Sequence, residues 1–257
     1  MNGYNGSMKI PMLLALLGLG LVIVSCLSAP ESTTHGLSAA ELFERAARQA
    51  AVGRLGAAYE ALELSFEGGF ARPSWVQGDA RFRKLLDAPE WRRRVYSLVE
   101  GAAREHRVVV VGPEERGERL VLTVRVVDEA GRALAGTRVG FVQTDADGYY
   151  QAWQPDEMWN PRWFAMGVTD ADGWITAETI RPGYYAPEYE APDELAHVHL
   201  DVVRPGFREF HGEVVFDDDP RLEAARRREV EAASTPIATV ETGGGTARAT
   251  VRLQLSR

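Results

Sequence analysis

The stretch "LVLTVRVVDEAGRALAGTRVGFVQTDADGYY", Leu120 to Tyr150, decides the fold. Leu120 to Asp128 and Thr137 to Gln143 are runs rich in Val and Thr, and Ala130-Gly131 and Asp147-Gly148 punctuate them as turns do. The same language runs from Arg107 to the C-terminus. Gly173 to Ile180, Ala196 to Val203, Gly212 to Phe216 and Ala247 to Leu255 read as further short strands, with turn signals at Asp172-Gly173 and Pro205-Gly206. Short strands in succession predict an antiparallel β-sandwich over residues 107–257. The charged run Arg221 to Val230 reads as a short helix or a solvated face.

Upstream the period changes. In "SAAELFERAARQAAVGRLGAAYEALELSFEGGF", from Ser38, apolar residues recur at three- and four-residue spacing, and Ser38 with Glu41 offers a capping box. Two helices fit, broken near Gly53 and ended by Gly68-Gly69. The continuation resembles the closing element of tetratricopeptide repeat arrays through Gly69-Phe70, Asp79, Phe82, Leu85, Pro89 and Trp91. One such unit cannot bury its apolar face alone. Residues 37–106 are therefore expected to pack on the sandwich or on a partner, whether a second copy of the chain or another protein. The fold class is mainly β: a prealbumin-like antiparallel sandwich preceded by a small α-helical, tetratricopeptide-like unit.

The chain has 257 residues, 45% hydrophobic and 26% charged, enough to bury a sizeable core. Its net charge of −8 and the lack of a basic stripe exclude nucleic acid as a partner. At the N-terminus, Lys9 precedes an apolar run from Ile10 to Val24 that ends at Ser25-Cys26. This is an export signal over residues 1–25. Cys26, the only cysteine, rules out a disulfide framework, and its setting resembles the bacterial lipobox, which implies cleavage before Cys26 and its acylation. A short membrane anchor with an incidental cysteine is the other reading. Residues 26–36 would be a tether, and the protein an exported lipoprotein held to a membrane.

The segment "TIRPGYYAPEYEAPDELAHVHLDVV", Thr179 to Val203, gathers three tyrosines and two histidines. His197 and His199 are two apart, so on a strand they share a face. Asp201 continues that face, which leaves open a two-histidine, one-carboxylate site for Fe(II) or Zn(II).

Together, "VVDEAGRALAGTRVGFVQTDADGYY", "TDADGWITAETIRPGYY", "AHVHLDVV" and "VVFDDDP" resemble the intradiol ring-cleavage dioxygenases, the family of protocatechuate and catechol dioxygenases. The hairpin alone is shared by prealbumin-like sandwiches that only bind, so a non-catalytic binding module is the rival reading. The resemblance covers roughly Leu120 to Pro220. It implies a mononuclear non-haem Fe(III) held by Tyr150, two after Gly148, by Tyr185, two after Gly183, and by His197 and His199. Tyr149, Tyr184 and Tyr189 become wall or packing residues, with a one-residue slip open at each Tyr-Tyr pair. Phenolate and imidazole suit ferric iron, which lowers the phenol pKa far below about 10. The implied substrates are a catechol-like small aromatic and O2, the ring opening between its hydroxylated carbons. Where the family has an arginine three residues before the first histidine, and a glutamine further on, this chain has Glu194 and Glu213. Both are expected in the substrate pocket, where they would disfavour anionic substrates. Arg162, Arg181, Arg204 and Arg208 are the candidates to restore positive charge.

Overall fold

The computed structural model describes residues 36–150 and 160–257. The export segment and Cys26 lie outside the described residues. Helix α1 (Ala39–Ala51) starts with the reciprocal capping box expected: Glu41 N donates to Ser38 Oγ at 3.3 Å and Ser38 N donates to Glu41 Oε2 at 2.8 Å. Helices α2 (Leu55–Glu67), α3 (Trp75–Gly78), α4 (Arg83–Asp87) and α5 (Pro89–Ala102) follow. Pro89 sits in the first turn of α5, where its missing N–H leaves no bond unmade.

The remainder is β1 (Arg107–Val109), β2 (Arg119–Asp128), β3 (Arg138–Gln143), β4 (Trp163–Val168), β5 (Trp174–Ile180), β6 (His197–Val203), β7 (Phe210–Phe216), helix α6 (Ala224–Ala232), β8 (Ile237–Glu241) and β9 (Ala247–Leu255). The strands hydrogen-bond in the order β1-β5-β2-β9-β8-β7-β6-β3-β4. Side chains from both halves of this sheet, among them Leu122, Val124, Phe141, Val198, Leu200 and Val251, close on one core. β9 alternates strictly, with Ala247, Ala249, Val251, Leu253 and Leu255 inward, as a strand with one solvated face does. The result is a mixed α/β fold built on a large sheet of sandwich type.

The expectation of a wholly antiparallel sheet is corrected. β1 pairs with β5, β2 with β9 and β7 with β8 in parallel. β9 joins β2 over the full span from Leu120↔Ala247 to Asp128↔Leu255, arriving from the far end of the chain rather than through a hairpin.

The helical region packs on the sheet. Phe43, Leu62, Phe82, Leu85 and Val95 share a core with Phe164 and Met166 of β4, while Trp163 and Ala165 of the same strand face the sandwich interior. β4 is thus buried on both faces. Among the described residues no helix is long and apolar enough to cross a membrane.

Candidate active site

Two loops carry the tyrosines, and backbone contact locks them together. Asp145 Oδ1 accepts from the N–H groups of Asp147 and Tyr149 at 2.9 and 3.0 Å, folding the chain into a turn at Gly148. Gly148 has φ +88°, and a Cβ there would lie 1.8 Å from the carbonyl oxygen of Tyr184. A Cβ on Gly183 would lie 2.5 Å from Ala146 O. No other residue type permits this approach. Gly183 N donates to Asp145 O at 2.8 Å and Thr144 Oγ1 donates to Gly183 O at 3.1 Å, so the Tyr150 and Tyr185 loops move as one piece.

The histidines come from β6, whose Val198, Leu200 and Val202 point into the core and whose odd-numbered residues point away from it. Their Nε2 atoms are 3.1 Å apart. Tyr150 Oη lies 2.6 Å from His199 Nε2 and 2.8 Å from Tyr185 Oη, and Tyr185 Oη lies 3.0 Å from His197 Nε2. Four donor atoms form a closed ring. An ion bound at about 2.0–2.1 Å sets neighbouring donors roughly 3 Å apart, so these residues fit one.

His197 is 4% exposed, and its Nδ1 donates to Leu195 O at 2.7 Å, which leaves the Nε2 lone pair for the centre. Burial, with the neighbouring His197, pulls His199 down to about 4, so its ring is neutral at physiological pH. Burial, followed by the hydrogen bond it donates to Tyr185, raises Tyr150 far above the ordinary phenol range. Tyr185 is raised as well, chiefly by burial. Without a cation both phenols keep their protons; a bound cation would reverse that.

Glu213 is the cross-strand neighbour of His199. Its Oε1 lies 3.8 Å from His197 Nε2 and 3.9 Å from His199 Nδ1. His197, His199 and Glu213 form a metal-binding cluster, with one ligand atom of each within 4.8 Å of the others. Asp201 is the wrong carboxylate: one step along β6, it accepts from His211 Nδ1 at 2.8 Å across the strand pair.

A cleft of about 590 Å³ opens beside His199, lined by Glu213, Asp201, His211, Tyr96, Val142 and Pro161 among others. Glu213 is thus one wall of this cleft. Glu194 does not line this cleft; it is half-buried and acts on Tyr185 only through its charge, which helps raise that phenol. No compensating arginine comes from three of the four candidates. Arg162 is held by Asp87 and Gln77, Arg181 by Asp218, and Arg204 by Ala135 O.

The remaining tyrosines are supports. Tyr189 Oη accepts from Tyr150 N at 3.1 Å, Tyr149 donates to Glu188, and Tyr184 donates to the buried Asp219 at 2.7 Å. Asp219 also accepts from Ala196 N at 3.2 Å, immediately before the first histidine. It ties the Tyr184 loop to the start of β6. The only sequence signal for it was the acidic run after Phe216. The helical region also reaches the site: Arg92 Nε donates to Asn160 O at 3.0 Å, Asn160 Nδ2 donates to Pro89 O, and Arg162 N donates to Tyr150 O at 2.8 Å.

A sandwich-type sheet whose strand and turn residues converge on a partly buried metal-binding cluster beside a ligand-sized cleft defines a candidate metal-dependent active site. The chain matches the dioxygenase family over residues 94–234, more than half its length and a span that includes every candidate from Tyr150 to Glu213. It belongs to that family. It is 30% identical over 179 residues to the protocatechuate 3,4-dioxygenase beta chain of Burkholderia cepacia, covering 59% of this chain and 73% of that one. Among solved structures, the dioxygenase domain of a dioxygenase and carbohydrate-binding fusion from Streptomyces sp. SirexAA-E is 24% identical, with TM-score 0.46, over 60% of this chain and 88% of that one. Catechol 1,2-dioxygenase from Pseudomonas arvilla C-1 is 20% identical, with TM-score 0.46, over 60% and 58%.

Proposed function

We propose that the protein is a mononuclear non-haem iron enzyme that opens a catechol-type aromatic ring with O2, in the intradiol manner, outside the cytoplasm. The observation that carries this reading is the ring of four donor atoms from Tyr150, Tyr185, His197 and His199, with spacings of 2.6–3.1 Å. When bound, ferric iron supplies the Lewis acidity and electron-accepting capacity that make a catechol ring reactive towards dioxygen. The protein's own residues orient and exclude water. Tyr150 is 1% exposed, its backbone N–H held by Tyr189 Oη and its carbonyl by Arg162 N, whereas His199 and Glu213 face the cleft through which substrate enters. Glu213, placed beside both imidazoles, is the group positioned to take a catechol proton.

A second reading rests on Glu213 itself: two histidines and a carboxylate make a site for a divalent ion, with the phenols as hydrogen-bonding neighbours. The two share His197 and His199 and differ in colour, since only phenolate bound to ferric iron absorbs in the visible. Dioxygen uptake with catechol tests the activity directly. Iron-loaded protein should consume dioxygen and yield a ring-opened dicarboxylic acid, and iron-loaded protein that consumes none would reduce the site to binding. Export and anchoring through Cys26 belong to the same proposal. A fatty-acid analogue should label the protein and not Cys26→Ala, and label retained by that variant would remove the anchor.

A further inference from the structure

The cleft beside His199 is larger than a bare catechol needs and has room for a ring substituent. Its charge is one-sided. Among the described residues no lysine or arginine lines it; its ionisable walls are Asp201 and Glu213, with His211 and the phenol of Tyr96. His211 is spanned by Asp201 at 2.8 Å and by Glu209 at 3.1 Å, so even a protonated His211 leaves the group negative. Tyr96 reaches in from α5, its ring centroid 4.7 Å from that of Phe164. An aromatic face beside carboxylates is the chemistry that holds an organic cation.

We infer that this cleft selects catechols whose ring substituent carries an ammonium group and rejects carboxylated ones. The inference rests on reading the site as a catechol site. A carboxylate substituent entering the cleft meets Glu213 and Asp201, and the one imidazole beside them, His211, is already shared between Asp201 and Glu209, so the desolvated like charges repel. An ammonium group in the same place meets both carboxylates and the Tyr96 ring. Tyr96 also gives the helical region a part in recognition, as one wall of the cleft.

The test is an anaerobic calorimetric titration of the full-length, iron-loaded protein with three ligands: unsubstituted catechol, an aminoethyl catechol and a dihydroxybenzoate. The aminoethyl compound should bind roughly tenfold tighter than catechol, and the dihydroxybenzoate weaker than catechol by a similar factor. Both differences should shrink as salt is raised. In Asp201→Asn the ratio between the aminoethyl compound and catechol should fall towards one. The wild-type ratios stand as the test even if that variant folds poorly. Equal binding of the aminoethyl and carboxylate compounds overturns the inference and leaves the catechol site intact. Failure of all three to bind overturns the catechol reading and the inference with it.

Discussion

Tyr184 and Tyr185 are adjacent in sequence and do different work. Tyr185 Oη meets His197 Nε2 at 3.0 Å, while Tyr184 Oη is spent on Asp219. Tyr185→Phe keeps the ring and removes the donor atom, so it should weaken or shift any visible phenolate band in the iron-loaded protein. Tyr184→Phe should leave that band in place and instead lower stability by about 1.5–3 kcal/mol, the contribution of a hydrogen bond to a charged acceptor, measured by chemical denaturation. Reversed effects would contradict the assignment. Protons give a second reading of the same centre. Both phenols are raised above their ordinary range and stay protonated near neutral pH. Ferric binding through them should therefore release about two protons per ion, and apparent affinity should rise with pH. Titration in two buffers of different ionisation enthalpy checks this; no proton release would exclude the phenols as ligands. That the two histidines share a face was legible in the sequence because a strand has period two, whereas Tyr150 and Tyr185 were singled out only by what the resemblance to the intradiol family implies. The place of Glu213 against His199 was not legible, since it depends on the register of β6 against β7, which no local pattern encodes.

At the scale of elements, the link between the helices and the sheet holds two testable groups. Glu105, 8% exposed just before β1, accepts from Ser74 N at 2.7 Å through one oxygen and has no partner for the other. Burial raises its carboxyl to about 6. The folded state thus holds this proton more tightly than the unfolded chain, so the stabilisation is complete below the unfolded value near 4.5. It is lost as pH rises through about 6, a change on the order of 1–2 kcal/mol. Glu105→Gln should flatten that part of the stability–pH curve, and an unchanged curve would mean that Glu105 does not titrate there. Arg92 is 2% exposed and donates to Leu86 O at 2.8 Å as well as to Asn160 O. Arg92→Ala strands both carbonyls, so a loss of about 3 kcal/mol is expected in denaturant titration, and a loss below about 1 kcal/mol would show that the contact is dispensable. The sequence predicted α1, α2 and the strands β2, β3, β5, β6, β7 and β9 near their true positions. It missed β1, only three residues long, β4, because "WFAMGV" is buried on both faces and shows no alternation, and β8, whose five residues sit between a helix and a Gly-rich loop.

For the whole molecule, the shared core of the helices and β4 predicts that the helices and the sheet unfold together. Phe164 and Met166 are buried among helical side chains, so thermal unfolding followed by circular dichroism at helix and strand wavelengths should give coincident transitions. Separate transitions would mean that the helical region stands alone. That same packing brings Tyr96 to the cleft and lets Arg92, through Asn160 and Arg162, brace the backbone of Tyr150, so the helices are part of how the site is held. On the function proposed here, Tyr150, Tyr185, His197 and His199 together bind ferric iron. The visible spectrum of the purified protein, recorded beside its iron content, tests it most directly. A single iron per chain is expected, with a broad visible band that shifts when catechol is added anaerobically and is lost in His197→Ala/His199→Ala. A protein that binds metal at those histidines and remains colourless with ferric iron would contradict this assignment.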